Sequence, residues 1–514
     1  MLGSSHTSLA GREGTSASRP WLLLIALAAL ARLLMAWFVT DFVLVDDAYI
    51  TLRYARNAAE QGSLVYNAGE AVFGVTSPLW GFVTSGMMMV FGAGLVAPAV
   101  IVLGIALWSL AAYRLSQLAP ARARGLMVAT FLFAPVFIDN QMLGMETPLF
   151  VFLAVYAMGA ALDGALIRAA FWTGLLTVAR PEGVLFAPAL LFAAATSQGD
   201  LKSAIRSLIK PLPAALVLAP GVLWIAFATA RYGTFLPQSM VAKSGWNSEH
   251  YDSLGTALHL WLSLARLTFV PFVDYLPALL AHAVTAAIAA SVLWIAYRNV
   301  RQGTPFSRAW LIVYAVYMTF YLAGKGATEA SWYAVPSSVA LLLSAGPALP
   351  ESFPRIRAWF VPACATSMML LSTGLVHRRA PLLHSYVDGY GACAAALESL
   401  DRPHSERVLI GEIGVFGFET RHRVIDVGAL VSPEVLPIKN AGRSLMSMAK
   451  ETGAAWLVIS DIAIQKNFYP SVGKVWVTDA EKRWLFESPV IEHAKDKRLI
   501  RLLGPTKSPV GSPE

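Results

Sequence analysis

Charge is scarce in this chain. Only 14% of its 514 residues are Asp, Glu, Lys or Arg, against roughly 25% in an ordinary soluble domain. About half the usual charge is therefore missing, which excludes a soluble enzyme and a disordered chain. It also excludes a nucleic-acid partner, even though 40 Lys and Arg outnumber 32 Asp and Glu to give a formal charge of +8. Cysteine is nearly absent. Cys364 lies in an apolar run and Cys393 in a polar stretch, which argues against a disulfide framework or a Cys-based metal site. Internal repeats and long low-complexity linkers are missing too.

What the chain does have is apolar sequence: 56% of residues are hydrophobic and the mean hydropathy is +0.57. These residues fall in repeated runs near the roughly 20 residues that span a bilayer, so a polytopic α-helical membrane protein is expected. Residues 1–20 are polar and carry Arg12 and Arg19. The run from Trp21 to Val39 is long and interrupted by Arg32, unlike the short apolar core of a signal peptide. It reads as an uncleaved first helix behind a cytoplasmic tail.

Basic residues in short loops mark the cytoplasmic side. They cluster around Arg122, Arg168, Arg206, Arg301 and Arg355. Placing every cluster inside gives spans near 95–117, 125–138, 147–162, 169–180, 183–197, 211–231, 275–297, 309–324, 331–348 and 357–375. With the first helix this makes about 11 crossings. Pro78–Phe91 then reads as a juxtamembrane or re-entrant segment. Past His377 charges appear regularly, and Val408–Ile410, Val424–Val427 and Trp456–Ile459 look like strands. The expected domains are a tail (1–20), a transmembrane part with external loops (21–376) and a periplasmic α/β domain (377–514).

The first external loop begins Asp46-Asp47-Ala48-Tyr49-Ile50. Ala48, Leu52, Ala55 and Ala59 recur at helical spacing, with Asp46, Ile50, Arg53, Asn57 and Glu60 on another face, as in an amphipathic helix at an interface. Carboxylates at its N-terminal end fit helix capping. They also fit a general base that takes a proton from an acceptor hydroxyl. Adjacent helical residues point about 100° apart, so the two aspartates are expected to differ in role, such as base and acceptor or metal contact. Asp46 and Asp47 are both candidates for the essential carboxylate, Asp46 ahead of Asp47.

Asp46-Asp47-Ala48-Tyr49-Ile50, Arg53-Tyr54-Ala55-Arg56-Asn57, Tyr66-Asn67-Ala68-Gly69-Glu70 and Thr76-Ser77-Pro78-Leu79-Trp80 resemble the first external loop of GT-C membrane glycosyltransferases. The branch with mycobacterial arabinofuranosyltransferases is the most similar. Gly144-Met145-Glu146-Thr147-Pro148, Ala179-Arg180-Pro181-Glu182-Gly183, Leu236-Pro237 through Lys243, and Gly411-Glu412-Ile413-Gly414 with Val424-Ile425-Asp426 follow in that branch's order. Gln238-Ser239 and Trp332-Tyr333 before Pro336 depart from its pattern, which puts the particular sugar or acceptor in doubt. The resemblance implies a polyprenyl-phosphate-linked sugar donor, a glycan, lipid or protein acceptor, and action on the outer face of the bacterial cytoplasmic membrane.

Sugar transfer from a lipid phosphate leaves an anion that fixed cations or a metal must stabilise. Arg53, Arg180, Lys243 and Lys325 are the candidates for that phosphate, with Arg56 and Arg231 also on the external side. Arg180 with Glu182 fits a helix-tying ion pair equally well, and Lys243 fits snorkelling to the headgroup layer. Tyr49, Glu146, Glu182, Gln238, Trp332 and Tyr333 are candidates for substrate contact. Glu146 could instead cap the helix at Thr147-Pro148. External histidines lack ligand spacing, so a divalent cation would be held by carboxylates. Gly411-Glu412-Ile413-Gly414-Val415-Phe416-Gly417 is not G-x-G-x-x-G and is expected to be a turn-rich β-segment. A transporter or flippase of lipid-linked sugars is the rival reading, but it would gather ionisable groups inside the spans, whereas here carboxylates concentrate in the loops.

Overall fold

The computed structural model describes residues 19–243, 278–324, 331–348, 360–466 and 477–502. Its apolar runs coil into helices, the form in which an open chain satisfies every backbone group without water. In order they are α1 (Arg19–Phe38), α2 (Asp46–Gln61), α3 (Pro78–Leu118), α4 (Ala121–Phe133), α5 (Pro135–Met142), α6 (Thr147–Leu162) and α7 (Leu166–Ala179). A 3-10 turn, Pro181–Phe186, leads into α8 (Ala187–Gln198), α9 (Leu201–Leu208), α10 (Pro211–Tyr232) and α11 (Gln238–Lys243). Then come α12 (Ala278–Gln302), α13 (Pro305–Gly324), α14 (Ser331–Ala345) and α15 (Phe360–Glu398).

Among the described residues three helices are long and apolar enough to cross a membrane, or up to five if each bent pair is one span. The expected 11 crossings are not established. On α10, Leu218, Val222, Leu223 and Ile225 all face outward, an apolar surface of the kind that lipid covers. Pro78–Phe91, expected to stand apart from the span at 95–117, instead runs into it. The two are halves of α3, broken at Gly92 with φ 69° and ψ 175°. Inside the bundle Trp108 is fully buried. It lies 4.7 Å from Phe131 ring to ring and donates its indole N–H to the Phe131 carbonyl at 2.9 Å.

The change of composition at His377 falls in the middle of α15, so one continuous helix joins the two parts of the chain. Beyond it lie β1 (Arg407–Ile410), α16 (Gly414–Glu419), β2 (Arg423–Asp426), α17 (Val435–Asn440), α18 (Leu445–Thr452), β3 (Trp456–Ser460), α19 (Asp461–Gln465), α20 (Asp479–Glu487), β4 (Val490–Ala494) and β5 (Lys497–Arg501). The expected strands at 408, 424 and 456 are present. Gly414–Glu419 is helical where a turn-rich β-segment was expected. The sheet order is β2-β1-β3-β5-β4, with β1 parallel to β2 and β3 and with β5 antiparallel to both its neighbours.

Side chains alternate across a strand, and both faces of this sheet are used. Val408, Ile410, Val424 and Val458 join the large core that continues into the helical bundle. Leu409, Ile425, Leu457 and Ile459 close a second core beneath α17, α18 and α20.

Candidate active site

The first loop's helix, α2, is gripped from two sides. Ala48, Leu52 and Ala55 are buried, as their spacing predicts. Asp46, Arg53 and Asn57 on the other face are buried as well. The C-terminal domain covers that face, so α2 is not an interface helix with one wet side.

The two aspartates therefore separate. Asp46 Oδ2 accepts the N–H of Gly414 at 2.9 Å and Oδ1 accepts that of Val415 at 2.8 Å. Asp46 thus meets the exposed N–H groups at the start of α16, where a carboxylate complements the helix dipole. It makes no side-chain cap on α2 itself. Burial pushes its carboxyl up to about 6 against the pull of the Val415 N–H, with the Asp47 charge adding to the rise. Asp47, one residue on and only half-buried, points into a cavity instead. Its carboxylate makes no hydrogen bond among the described residues. Burial raises its pKa, and Lys243 opposes that rise.

Three residues expected to contact substrate or phosphate are engaged by the same packing instead. Arg53 uses its donors on protein: Nε on the Tyr66 carbonyl at 2.7 Å, Nη1 on the Gly417 and Thr420 carbonyls, and Nη2 on Asn67 Oδ1 at 3.2 Å and the His422 carbonyl at 2.9 Å. A guanidinium has five N–H donors, so none is left for a lipid phosphate. Tyr49 is buried against Phe418, ring centroids 5.6 Å apart, and burial pushes its hydroxyl up to about 12. Gln238 donates its side-chain amide to the Ala429 carbonyl at 3.1 Å and its backbone N–H to Phe73. None of the three lines the cavity.

The cavity, of about 330 Å³, gathers Asp47, Glu146, Arg180, Glu182, Lys243, Trp332 and Tyr333. They come from α2, the turn before α6, the turn after α7, α11 and α14. Arg180 is held by Glu146 at 3.3 Å and Glu182 at 3.1 Å, with its charge 5.3 Å from the Tyr333 ring centre. Glu146 makes no cap on α6. At the same tyrosine, the Lys243 ammonium donates to the Tyr333 hydroxyl at 3.3 Å. Burial alone would lower its pKa, but Tyr333 and Asp47 outweigh burial and raise it. Lys325 lies outside the described residues. Among the described residues the cavity's carboxylates do not form a three-ligand metal set.

Sequence reasoning missed several lining residues, among them Ser77, Ser239, Leu430 and Val431. Ser77 and Ser239 are buried with hydroxyls that lack a hydrogen-bond partner among the described residues. Ser77 stands in the Thr76-Ser77-Pro78 motif and Ser239 follows Gln238, so the quoted segments pointed near both. Leu430 and Val431 reach the cavity from the C-terminal domain. The buried Asp426 shapes their loop by accepting the N–H groups of Gly428, Leu430 and Val431.

The bundle of membrane-type helices with its small C-terminal sheet is similar to the GT-C membrane-enzyme fold of solved structures. The particular likeness is to ArnT from Cupriavidus metallidurans. In the apo state ArnT superposes with a TM-score of 0.65 at 14% identity, over 96% of this chain and 100% of that one. Bound to undecaprenyl phosphate it gives 0.63 at 14% identity, over 96% and 99%. The arabinofuranosyltransferase AftD from Mycobacteria gives only 0.39 at 18% identity, over 86% of this chain and 36% of that one, too distant to bear on the sugar. No protein-family model and no curated protein matches the chain.

Proposed function

We propose that the protein is a glycosyltransferase that moves a sugar from a polyprenyl-phosphate donor to an acceptor hydroxyl. The observation that carries this reading is the Asp47 carboxylate, lining a cavity together with the Lys243 ammonium whose charge it feels. Asp47 takes the acceptor's proton as that oxygen bonds to the sugar's anomeric carbon. The bond from that carbon to the phosphate oxygen breaks, and its electron pair leaves on polyprenyl phosphate. Lys243 meets the growing phosphate charge, while Arg180, held between Glu146 and Glu182, fixes that side of the cavity. Trp332 and Tyr333 offer ring faces to the sugar, and the hydroxyls of Ser77 and Ser239 can exchange hydrogen bonds with its hydroxyls. The undecaprenyl phosphate bound to ArnT supports a lipid-phosphate partner.

The setting that goes with this chemistry is the outer face of a bacterial cytoplasmic membrane, with the C-terminal domain in the periplasm and a glycan, lipid or protein as acceptor. Arabinofuranose and mannose are the first sugars to try. Transport of the lipid-linked sugar, the second reading, has no observation behind it. Purified protein incubated with a panel of polyprenyl-phosphate sugars should release polyprenyl phosphate from at least one. No release from any, by folded protein with acceptor present, overturns the proposal. Lys243→Met should slow release roughly 10- to 150-fold, the loss of one charge-assisted bond. A chelator arm tests whether a divalent cation held by carboxylates takes part.

A further inference from the structure

Away from the cavity, three ligand-bearing side chains meet where α15 hands the chain over to the sheet. Glu398 is the last residue of α15, His404 lies in the turn that follows, and His422 immediately precedes β2. One ligand atom from each lies within 4.8 Å of the others. His404 Nε2 and Glu398 Oε2 are 3.2 Å apart. That is close to the edge of a tetrahedron with metal–ligand bonds of about 2.0–2.2 Å. The other Glu398 oxygen is anchored, accepting the Thr420 hydroxyl and the Arg421 N–H at 2.7 Å each.

His422 gives the independent sign of a ligand. Its side chain is completely buried, and neither ring nitrogen makes a hydrogen bond of good geometry. Buried polar atoms without partners are uncommon and call for an explanation. The ring stands 5.1 Å from that of His404, nearly perpendicular to it. The backbone of Glu406 lies beside the His422 ring. A metal-bound histidine commonly gives its second N–H to such a backbone group.

We propose that Glu398, His404 and His422 bind one divalent transition-metal ion. Two imidazoles and a carboxylate with one open position suit zinc(II). The site shares no residue with the cavity lining. It would pin the end of α15 to the loop whose His422 carbonyl takes a hydrogen bond from Arg53. The ordinary alternative is a bare His404–Glu398 ion pair with the His422 ring held only by the Glu406 backbone.

The test uses the full-length protein in detergent, stripped with chelator and titrated with cobalt(II), then with zinc(II) as competitor. One equivalent of cobalt should bind with visible tetrahedral absorption that zinc abolishes, and elemental analysis should find one zinc per chain. His404→Ala changes a side chain that is 53% exposed, so folding is not at stake. Glu398→Gln keeps an oxygen for Thr420 and Arg421. Each should weaken binding by roughly 10–100-fold or more, the size of effect reported for disturbed ligand shells. No stoichiometric cobalt or zinc at micromolar free metal overturns the site, as does undiminished binding in both variants.

Discussion

The two faces of α2 invite comparison, because neighbouring residues on one helix have opposite fates. On the cavity face Asp47 keeps an unengaged carboxylate beside Lys243. On the covered face Asp46 and Arg53 hold α16 by its two ends, the anion on the first amides and the cation on the Gly417 carbonyl near its C-terminus. Each charge sits where the dipole of α16 favours it. Arg56 strengthens that grip through the Phe418 and Thr420 carbonyls. Burial alone does not make a charged residue catalytic. What distinguishes the two faces is whether the charge is already satisfied by protein.

The sharpest way to break this comparison is to remove one acid at a time. Asp47→Asn should cost roughly 10²–10⁴ in turnover, the worth of a general base, at an unchanged melting temperature. Asp46→Asn should do the reverse. It turns an amide N–H toward the donors of Gly414 and Val415 and costs about 1–3 kcal/mol of stability, with turnover falling only as folded protein is lost. Equal turnover losses in both variants at unchanged stability would erase the distinction.

Arg53→Met comes next. It leaves buried carbonyls of Tyr66, Gly417, Thr420 and His422 without this donor, and should cost roughly 2–4 kcal/mol, read by thermal unfolding in detergent. Donor affinity, measured on the protein that remains folded, should be unchanged, because Arg53 touches no part of the cavity. A specific loss of donor binding would return Arg53 to the phosphate.

The smallest effect is the response to pH, and it also separates the faces. In the folded protein the Asp46 carboxyl is raised to about 6, above its unfolded value near 3.9. The folded state therefore holds the proton more tightly. The stability this contributes is fully present below about pH 4 and is lost as pH rises through about 6. Asp47 is raised too, but as a base it works only when ionised, so turnover should climb with pH above the ordinary carboxylate range. Stability should thus drift down by about 1–3 °C in melting temperature while activity rises. Asp46→Asn should flatten the first trend alone, and Asp47→Asn the second.

Much of the helical part was legible in the sequence because apolar runs of bilayer length announce themselves. The span expected at 147–162 is α6 to the residue. The cavity residues Asp47, Glu146, Arg180, Glu182, Lys243, Trp332 and Tyr333 were all within reach of loop charges and motif order. Helical spacing showed that Asp46 and Asp47 must differ, but not which one met solvent, since that depends on what covers α2. The glycine run from Gly411 to Gly417 was illegible for the same reason. A Cβ on Gly414 would stand 1.8 Å from the Asp46 carbonyl oxygen, and one on Gly417 2.0 Å from the Tyr66 hydroxyl. Those glycines let α16 approach α2 and Tyr66 closely, a demand set by residues some 350 positions away. Arg53, Tyr49 and Gln238 contact protein and do not line the cavity, a difference hidden from the sequence because a polar side chain in an external loop looks the same whether it meets substrate or another part of the chain.

The clasp between α2 and α16 also sets a timetable. Asp46 and Gly414 are 368 residues apart, and a ribosome working at about 5–20 residues per second needs roughly 20–70 s to bridge that gap. Throughout that interval the helix that carries Asp47 exists without its clamp, and Leu430 and Val431 have not yet arrived to close the cavity. The cavity is therefore among the last parts of the molecule to be finished, though the Asp47 carboxylate that lines it is among the first to be made.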